Sequence, residues 1–155
     1  MKSGIILNVD DNEDDQFLLQ RAFKKSASSL DLRIVSDGEK AIEYLGGLGE
    51  YQDRELFPIP GIILLDLKMP RKNGLEVLDW MNRESLIGQF PVAVFTSSQY
   101  ITDIKCAYDL GARWYLTKPV DFTELTQLVY LLNRWFQSPT EIDLSASSHY
   151  RPPSP

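Results

Sequence analysis

A chain of 155 residues, 43% hydrophobic and 25% charged, is about the size of one globular domain. That is long enough to bury a core without disulfides or a structural metal. Its formal charge of −6 and the lack of any basic cluster argue against a nucleic-acid partner.

One cysteine, Cys106, cannot close an intrachain disulfide. It falls in a helical pattern with Ile104 and Ala107, where packing is its expected role. No apolar stretch approaches bilayer-spanning length, and the opening Met-Lys-Ser-Gly leads into a short strand-like run rather than a signal sequence. A cytoplasmic protein without membrane contact is the expectation.

The first apolar run, Ile5–Val9, reads as a buried strand and ends on Asp10-Asp11. A helical pattern follows over 13–26, opened by Glu13, Asp14 and Asp15, acids that suit the positive end of a helix dipole. A short strand at 32–35 precedes a helix at 38–45. Residues 46–60, with Gly-Gly, Gly-Glu and Phe-Pro-Ile-Pro, predict an extended loop.

The run Ile62–Leu65 is apolar on every residue, as a strand covered on both faces must be, and Asp66 stands at its end. A third helix over Gly74–Arg83 leads to a strand at 91–96, where Pro91 at the first position needs no N–H. The helix at 101–110 stops at Gly111, and a fifth strand occupies 112–116. The last helix starts at Asp121, with Glu124 three residues on as a capping-box variant. Leu125, Leu128, Val129, Leu132 and Trp135 form its apolar face.

Strand and helix thus alternate five times, the pattern of an α/β doubly wound parallel sheet with right-handed crossovers. Residues 1–137 are expected to form the domain. The Ser/Pro-rich segment 138–155 is expected to be a flexible tail with no output domain after it.

In such a sheet, ligands bind at the carboxyl ends of the strands. That edge collects Asp10 and Asp11 from the first strand, Asp66 from the third, Thr96 from the fourth and Lys118 just past the fifth. Three carboxylates at one point repel unless a cation joins them, and hard oxygens suit Mg²⁺. An amine and a hydroxyl beside them are equipment for phosphoryl oxygens, and a carboxylate can itself accept the phosphoryl group.

Val9-Asp-Asp11, Leu65-Asp-Leu-Lys-Met-Pro70 followed by Gly74, Thr96-Ser97, and Tyr115-Leu-Thr-Lys-Pro119 stand in this order along the chain. Together they resemble the motifs of response-regulator receiver domains, from residue 4 to about 136. The resemblance is nearest to stand-alone receivers of the chemotaxis and phytochrome-associated kind. It implies a flavodoxin-like receiver fold, a five-stranded parallel sheet in the order 2-1-3-4-5.

The resemblance also implies roles. Asp66 is the phosphoacceptor, supplied by a histidine kinase or a histidine phosphotransfer protein. Asp11 and Asp66 hold Mg²⁺ directly, Asp10 through water, and Lys68 through its backbone carbonyl. Thr96 and Lys118 contact the phosphoryl group, and Tyr115 is the switch aromatic. Pro119 follows Lys118 in a cis bond. Lys68 and Ser98, two residues after Asp66 and Thr96, tune dephosphorylation, with slow hydrolysis expected from a lysine at the first. Tyr100, Tyr108, Trp114 and Tyr115 gather at the fourth helix–fifth strand–fifth helix face, which suits relay to a partner or a homodimer.

Plainer readings compete at each position. Asp10 and Asp11 could cap the first helix, Thr96 could be a strand residue, Tyr115 a packing aromatic and Lys118 a solvated lysine. The lone histidine, His149, lies in the tail and is not expected to ligate or carry phosphate. A signalling protein, not an enzyme, is the expected function, with Mg²⁺-dependent self-phosphorylation and self-dephosphorylation as its chemistry. An aspartate-nucleophile phosphatase would place a second Asp where Lys68 stands. A flavodoxin-like cofactor binder would carry a Gly-rich loop after the first strand. The main alternative is a non-phosphorylated pseudo-receiver that acts as a static binding module.

Overall fold

A computed structural model describes residues 4–26, 28–140 and 143–153. Five strands, β1 (Ile5–Val9), β2 (Asp31–Val35), β3 (Ile62–Leu65), β4 (Val92–Thr96) and β5 (Trp114–Thr117), pair in parallel in the order β2-β1-β3-β4-β5. The helices between and after them are α1 (Glu13–Lys25), α2 (Gly38–Gly46), α3 (Gly74–Arg83), α4 (Ile101–Asp109) and α5 (Phe122–Gln137).

Period-two alternation sends successive strand residues to opposite faces. Leu7, Val9, Ile63, Leu65, Val92, Val94 and Tyr115 pack with α2, α3 and α4 residues such as Tyr44, Leu78, Met81 and Ile104. Ile6, Ile62, Leu64, Ala93, Phe95, Trp114 and Leu116 pack with Leu19, Phe23, Leu128, Leu132 and Trp135 of α1 and α5. Both faces are covered, which is why β3 has no polar position.

Register then decides where the chemistry lies. Val9 pairs with Val35 on one side and Leu65 on the other, so β1 and β3 end level. The Asp66 N–H donates to Val9 O at 2.9 Å and the Asp10 N–H to Val35 O at 3.1 Å. The two acids are therefore neighbours on one edge.

Helix starts follow local capping chemistry. Asn12, rather than Asp10 or Asp11, caps α1 by accepting from the Asp15 N–H; Asn73 and Glu76 form a full capping box at α3. Asp121 caps α5 through the Thr123 N–H, while the Glu124 carboxylate turns to His149 Nε2 at 3.0 Å. Gly74 allows the loop after β3 to press against its own strand. A Cβ there would lie 2.2 Å from Asp66 O.

The loop before β3 is more ordered than its composition suggests. It contains a 3₁₀ turn at Gly49–Tyr51, and Tyr51 and Phe57 pack ring against ring at 4.9 Å. Arg54 donates to Tyr44 O and Leu45 O at the end of α2, which satisfies carbonyls that a helix terminus leaves open.

Two boundaries and two residues correct expectation. The strand expected at 112–116 runs Trp114–Thr117, because Ala112 N–H closes the α4 turn on Ala107 O. β4 starts at Val92, since Pro91 lends only its carbonyl, to Ile63 N–H. Cys106 is exposed rather than packed. The Lys118–Pro119 bond is trans; no cis peptide is present among the described residues. The trans form is the lower of the two by about 0.5–1 kcal/mol, and it already aims Lys118 at the carboxylates.

The largest correction concerns the segment expected to be a flexible tail. Its described part, residues 143–153, folds back along β5. Leu144, in a 3₁₀ turn Leu144–Ala146, is fully buried in the α1–α5 core. The Trp114 indole N–H donates to Asp143 Oδ1. Thr117 N–H donates to His149 O at 3.0 Å and Arg151 N–H to Tyr115 O at 2.8 Å, around an antiparallel bridge between Leu116 and Tyr150. The segment therefore covers the β5 edge, whose backbone groups would otherwise lack partners.

Candidate functional site

Asp10, Asp11 and Asp66 each offer a carboxylate oxygen, and these lie within 4.8 Å of one another. Asp10 and Asp66 are buried and Asp11 is exposed, so the cluster opens to solvent on one side. Asp10 Oδ1 accepts from Asn12 N–H at 2.9 Å and Asp66 Oδ1 from Lys68 N–H at 3.3 Å. Backbone donors thus orient both carboxylates before any ligand arrives.

Lys118 enters from beyond β5. Its own N–H donates to Thr96 O at 2.8 Å, which ties the loop to the end of β4. Its Nζ lies 2.7 Å from Asp10 Oδ2, 2.8 Å from Asp15 Oδ2 and 2.9 Å from Asp66 Oδ2. Burial works against the ammonium, but Asp66, Asp10 and Asp15 outweigh it and hold the lysine charged far above the neutral range. Burial pushes the Asp10 carboxyl above its usual range despite the contact with Lys118.

Three carboxylates, those of Asp10, Asp15 and Asp66, thus share one ammonium, and Asp11 stands beside them as a fourth. The residue charge, the convergence of hard oxygen donors and the open side at Asp11 fit a divalent cation. With such an ion bound, Asp10, Asp11 and Asp66 are the side chains to hold it.

Thr96 is fully buried at the end of β4, where its Oγ1 accepts from Ser98 N–H at 3.4 Å. Together with Asp66, Lys118 and Asn12 it borders a cavity of about 290 Å³. Tyr115 is fully buried, and its hydroxyl donates to Ser98 O at 3.0 Å. Burial raises its phenol above the ordinary range despite that hydrogen bond. Asp66, Asp10, Asp11, Thr96, Lys118 and, one contact removed, Tyr115 and Ser98 come together. Pro119 borders a separate small cleft with Leu18 and Leu125.

Sequence reasoning missed two residues. Asp15 reads in sequence as a helix-start acid like Glu13 and Asp14, yet it alone of the three turns back to Lys118. Asp103 accepts from Ser98 Oγ at 2.6 Å and lies 3.4 Å from Lys68 Nζ. Nothing in local spacing separates either from ordinary surface acids. Of the aromatics grouped near α4 and β5, Trp114 and Tyr115 are buried and Tyr108 is half-buried, its hydroxyl bonded to Arg151 O. Only Tyr100 is exposed. No helix among the described residues is long and apolar enough to cross a membrane.

Comparison with known proteins agrees with this geometry. Residues 6–130 match the family model described as the response regulator receiver domain. The response regulator Rcp1 of Synechocystis sp. is 36% identical over 125 residues, covering 81% of this chain and 83% of Rcp1. The structure of the phosphorylated cyanobacterial phytochrome response regulator RcpA superposes with a TM-score of 0.78 at 32% identity, covering 90% and 98% of the two chains. The Mn²⁺-bound form of Rcp1 gives a TM-score of 0.75 at 33% identity, covering 92% and 99%.

Proposed function

The chain belongs to the response regulator receiver domain family of two-component signalling, and we propose that it works as a phosphorylated switch with Asp66 as its acceptor. The donor is a phosphohistidine on a histidine kinase or a histidine phosphotransfer protein. An Asp66 carboxylate oxygen attacks phosphorus, the N–P bond breaks, and its electron pair returns to the imidazole. The product is an aspartyl phosphate. Hydrolysis later breaks the O–P bond, with water supplying the new oxygen to phosphate and Asp66 regenerated.

The side chains divide this work. Lys118, already charged and within 2.9 Å of Asp66 Oδ2, neutralises the incoming phosphoryl oxygens. The Thr96 hydroxyl donates to another of them. Asp11, Asp66 and the Lys68 carbonyl, with Asp10 through water, would hold Mg²⁺, which would supply charge neutralisation at the same oxygens. Loss of the Thr96 hydroxyl from its present contact is felt at Ser98 and hence at Tyr115. That chain would carry the signal to the α4–β5–α5 face, where a partner or a second copy docks.

The observation that carries this reading is the reach of Lys118 to Asp10 and Asp66 together, beside the Thr96 strand end. A second reading, a static binding module that is never phosphorylated, draws on the fully buried Tyr115, which already stands inward.

Intact-protein mass after incubation with acetyl phosphate separates the two. The expected result is one phosphoryl addition that requires Mg²⁺ and disappears in Asp66→Asn or with EDTA. No addition under these conditions would leave the static module as the better reading.

A further inference from the structure

Lys68 and Ser98 flank the acceptor from different loops, one after β3 and one after β4, and a single carboxylate joins them. Asp103, in the first turn of α4, accepts from Ser98 Oγ at 2.6 Å and faces Lys68 Nζ at 3.4 Å. The Asp103 side chain is 16% exposed and that of Lys68 is 66% exposed. A lysine so exposed samples many rotamers unless something holds its head group.

The place where it is held matters. Lys68 borders the cavity over Asp66 together with Thr96 and Lys118. It also borders the neighbouring cavity between the β3–α3 loop and α4, which Asp103 lines. Lys68 and Asp11 are thus the residues the two cavities share. The same Asp103 oxygen takes the Ser98 hydroxyl hydrogen, so that hydroxyl has no proton left to donate to a water beside Thr96.

We infer that Asp103 is a positioning residue for the acceptor site, holding the Lys68 side chain across the water approach to Asp66 and thereby prolonging the phosphorylated state. The inference rests on Asp66 being the phosphoryl acceptor. The step it slows is attack of a water oxygen on phosphorus. The Asp66 O–P bond breaks, its electron pair stays on the carboxylate, and the proton of the water goes to solvent.

The test follows loss of the phosphoryl group by intact mass, after loading with acetyl phosphate and Mg²⁺ and removal of the donor. Wild type, Asp103→Asn, Lys68→Ala and the double variant are compared. Asp103→Asn should decay roughly two- to five-fold faster than wild type, the range an exposed ion pair can supply. In the Lys68→Ala background the same change should add nothing. Unchanged or slower decay, or an equal factor in both backgrounds, overturns the inference.

A second measurement needs no Asp103 variant. Molar KCl screens the pair and should hasten decay in wild type but not in Lys68→Ala; an equal response in both again overturns it. A wild-type chain that takes up no phosphoryl group would instead overturn the assignment of Asp66. Normal uptake with independent factors would overturn the role of Asp103 alone.

Discussion

Arg71 reaches from the loop after β3 to the start of α2, where its Nη1 lies 2.6 Å from Asp37 Oδ2. Asp37 is buried and also caps α2 through the Lys40 N–H, so the contact ties the loop after β3 to a fixed helix end. Gly38 permits the approach; a Cβ there would sit 2.0 Å from Lys72 O. The loop fastened in this way is the one that carries Lys68.

Arg71 holds a φ of 65°, a left-handed conformation that costs a side chain about 1 kcal/mol and glycine almost nothing. Arg71→Ala should therefore lose the ion pair and keep the strain, whereas Arg71→Gly loses the pair and sheds the strain. In urea unfolding Arg71→Gly should be more stable than Arg71→Ala by about 1 kcal/mol, and Arg71→Ala should be less stable than wild type. An alanine variant as stable as the glycine variant would show that the loop relaxes once the ion pair is gone.

Acid stability depends on the same aspartate and on the returned C-terminal segment. Burial pushes Asp37 up, but the Lys40 N–H and the Arg71 guanidinium hold it below the usual carboxylate range. Burial likewise opposes Asp143, yet the Ser145 N–H and the Trp114 indole N–H hold it low. A carboxyl lowered in the fold binds its proton more readily when unfolded, so stability rises with pH through that window. The stabilisation is fully present above the ordinary Asp range and is lost as pH falls through the folded values. Urea midpoints measured from neutral pH downward should fall less steeply in Asp143→Asn than in wild type. Parallel slopes would remove Asp143 from the account.

Leu144 makes the C-terminal segment part of the core rather than an appendage. It is fully buried with Leu128, Leu132 and Trp135, and Leu→Ala at such positions costs about 2–4 kcal/mol. Leu144→Ala should lower the thermal midpoint accordingly and expose the β5 edge to hydrogen exchange at Thr117, whose N–H the segment takes. A loss below about 0.5 kcal/mol, the scale of a surface change, would mean that the segment does not pack in solution.

That segment also marks the limit of what could be read beforehand. β3 was legible because Ile62, Ile63, Leu64 and Leu65 leave no polar face, and a parallel sheet, whose strands all end on the same side, then puts Asp10, Asp66, Thr96 and Lys118 at one edge. The segment after α5 has no periodicity; its order comes from pairs far apart in sequence, such as Trp114 with Asp143 and Tyr115 with Arg151. Asp15 and Asp103 escaped for a similar reason. Their partners, Lys118 and Ser98, are brought near by the loops rather than by helical spacing alone. The two isomers of an X–Pro bond differ by only about 0.5–1 kcal/mol in general, too little for the Lys118-Pro119 dipeptide to decide by itself.

Lys118 offers the sharpest test of the site's electrostatics. Its side chain is 9% exposed, and its ammonium is shared among Asp10, Asp15 and Asp66. Lys118→Met keeps the length and removes the charge, leaving buried carboxylates unpaired, a change that costs about 3–5 kcal/mol in comparable pairs. Without metal the variant should therefore unfold at markedly lower urea than wild type. A divalent cation that binds only the folded state adds stability as RT ln(1 + c/Kd), with c its free concentration, which keeps growing as c rises. It also meets less competition once the ammonium is gone. Saturating Mg²⁺ should thus raise the urea midpoint more in Lys118→Met than in wild type, and Asp11→Asn, which removes a proposed ligand, should shrink both increments. Equal increments with and without Lys118 would mean that the ammonium and the metal do not draw on the same carboxylates.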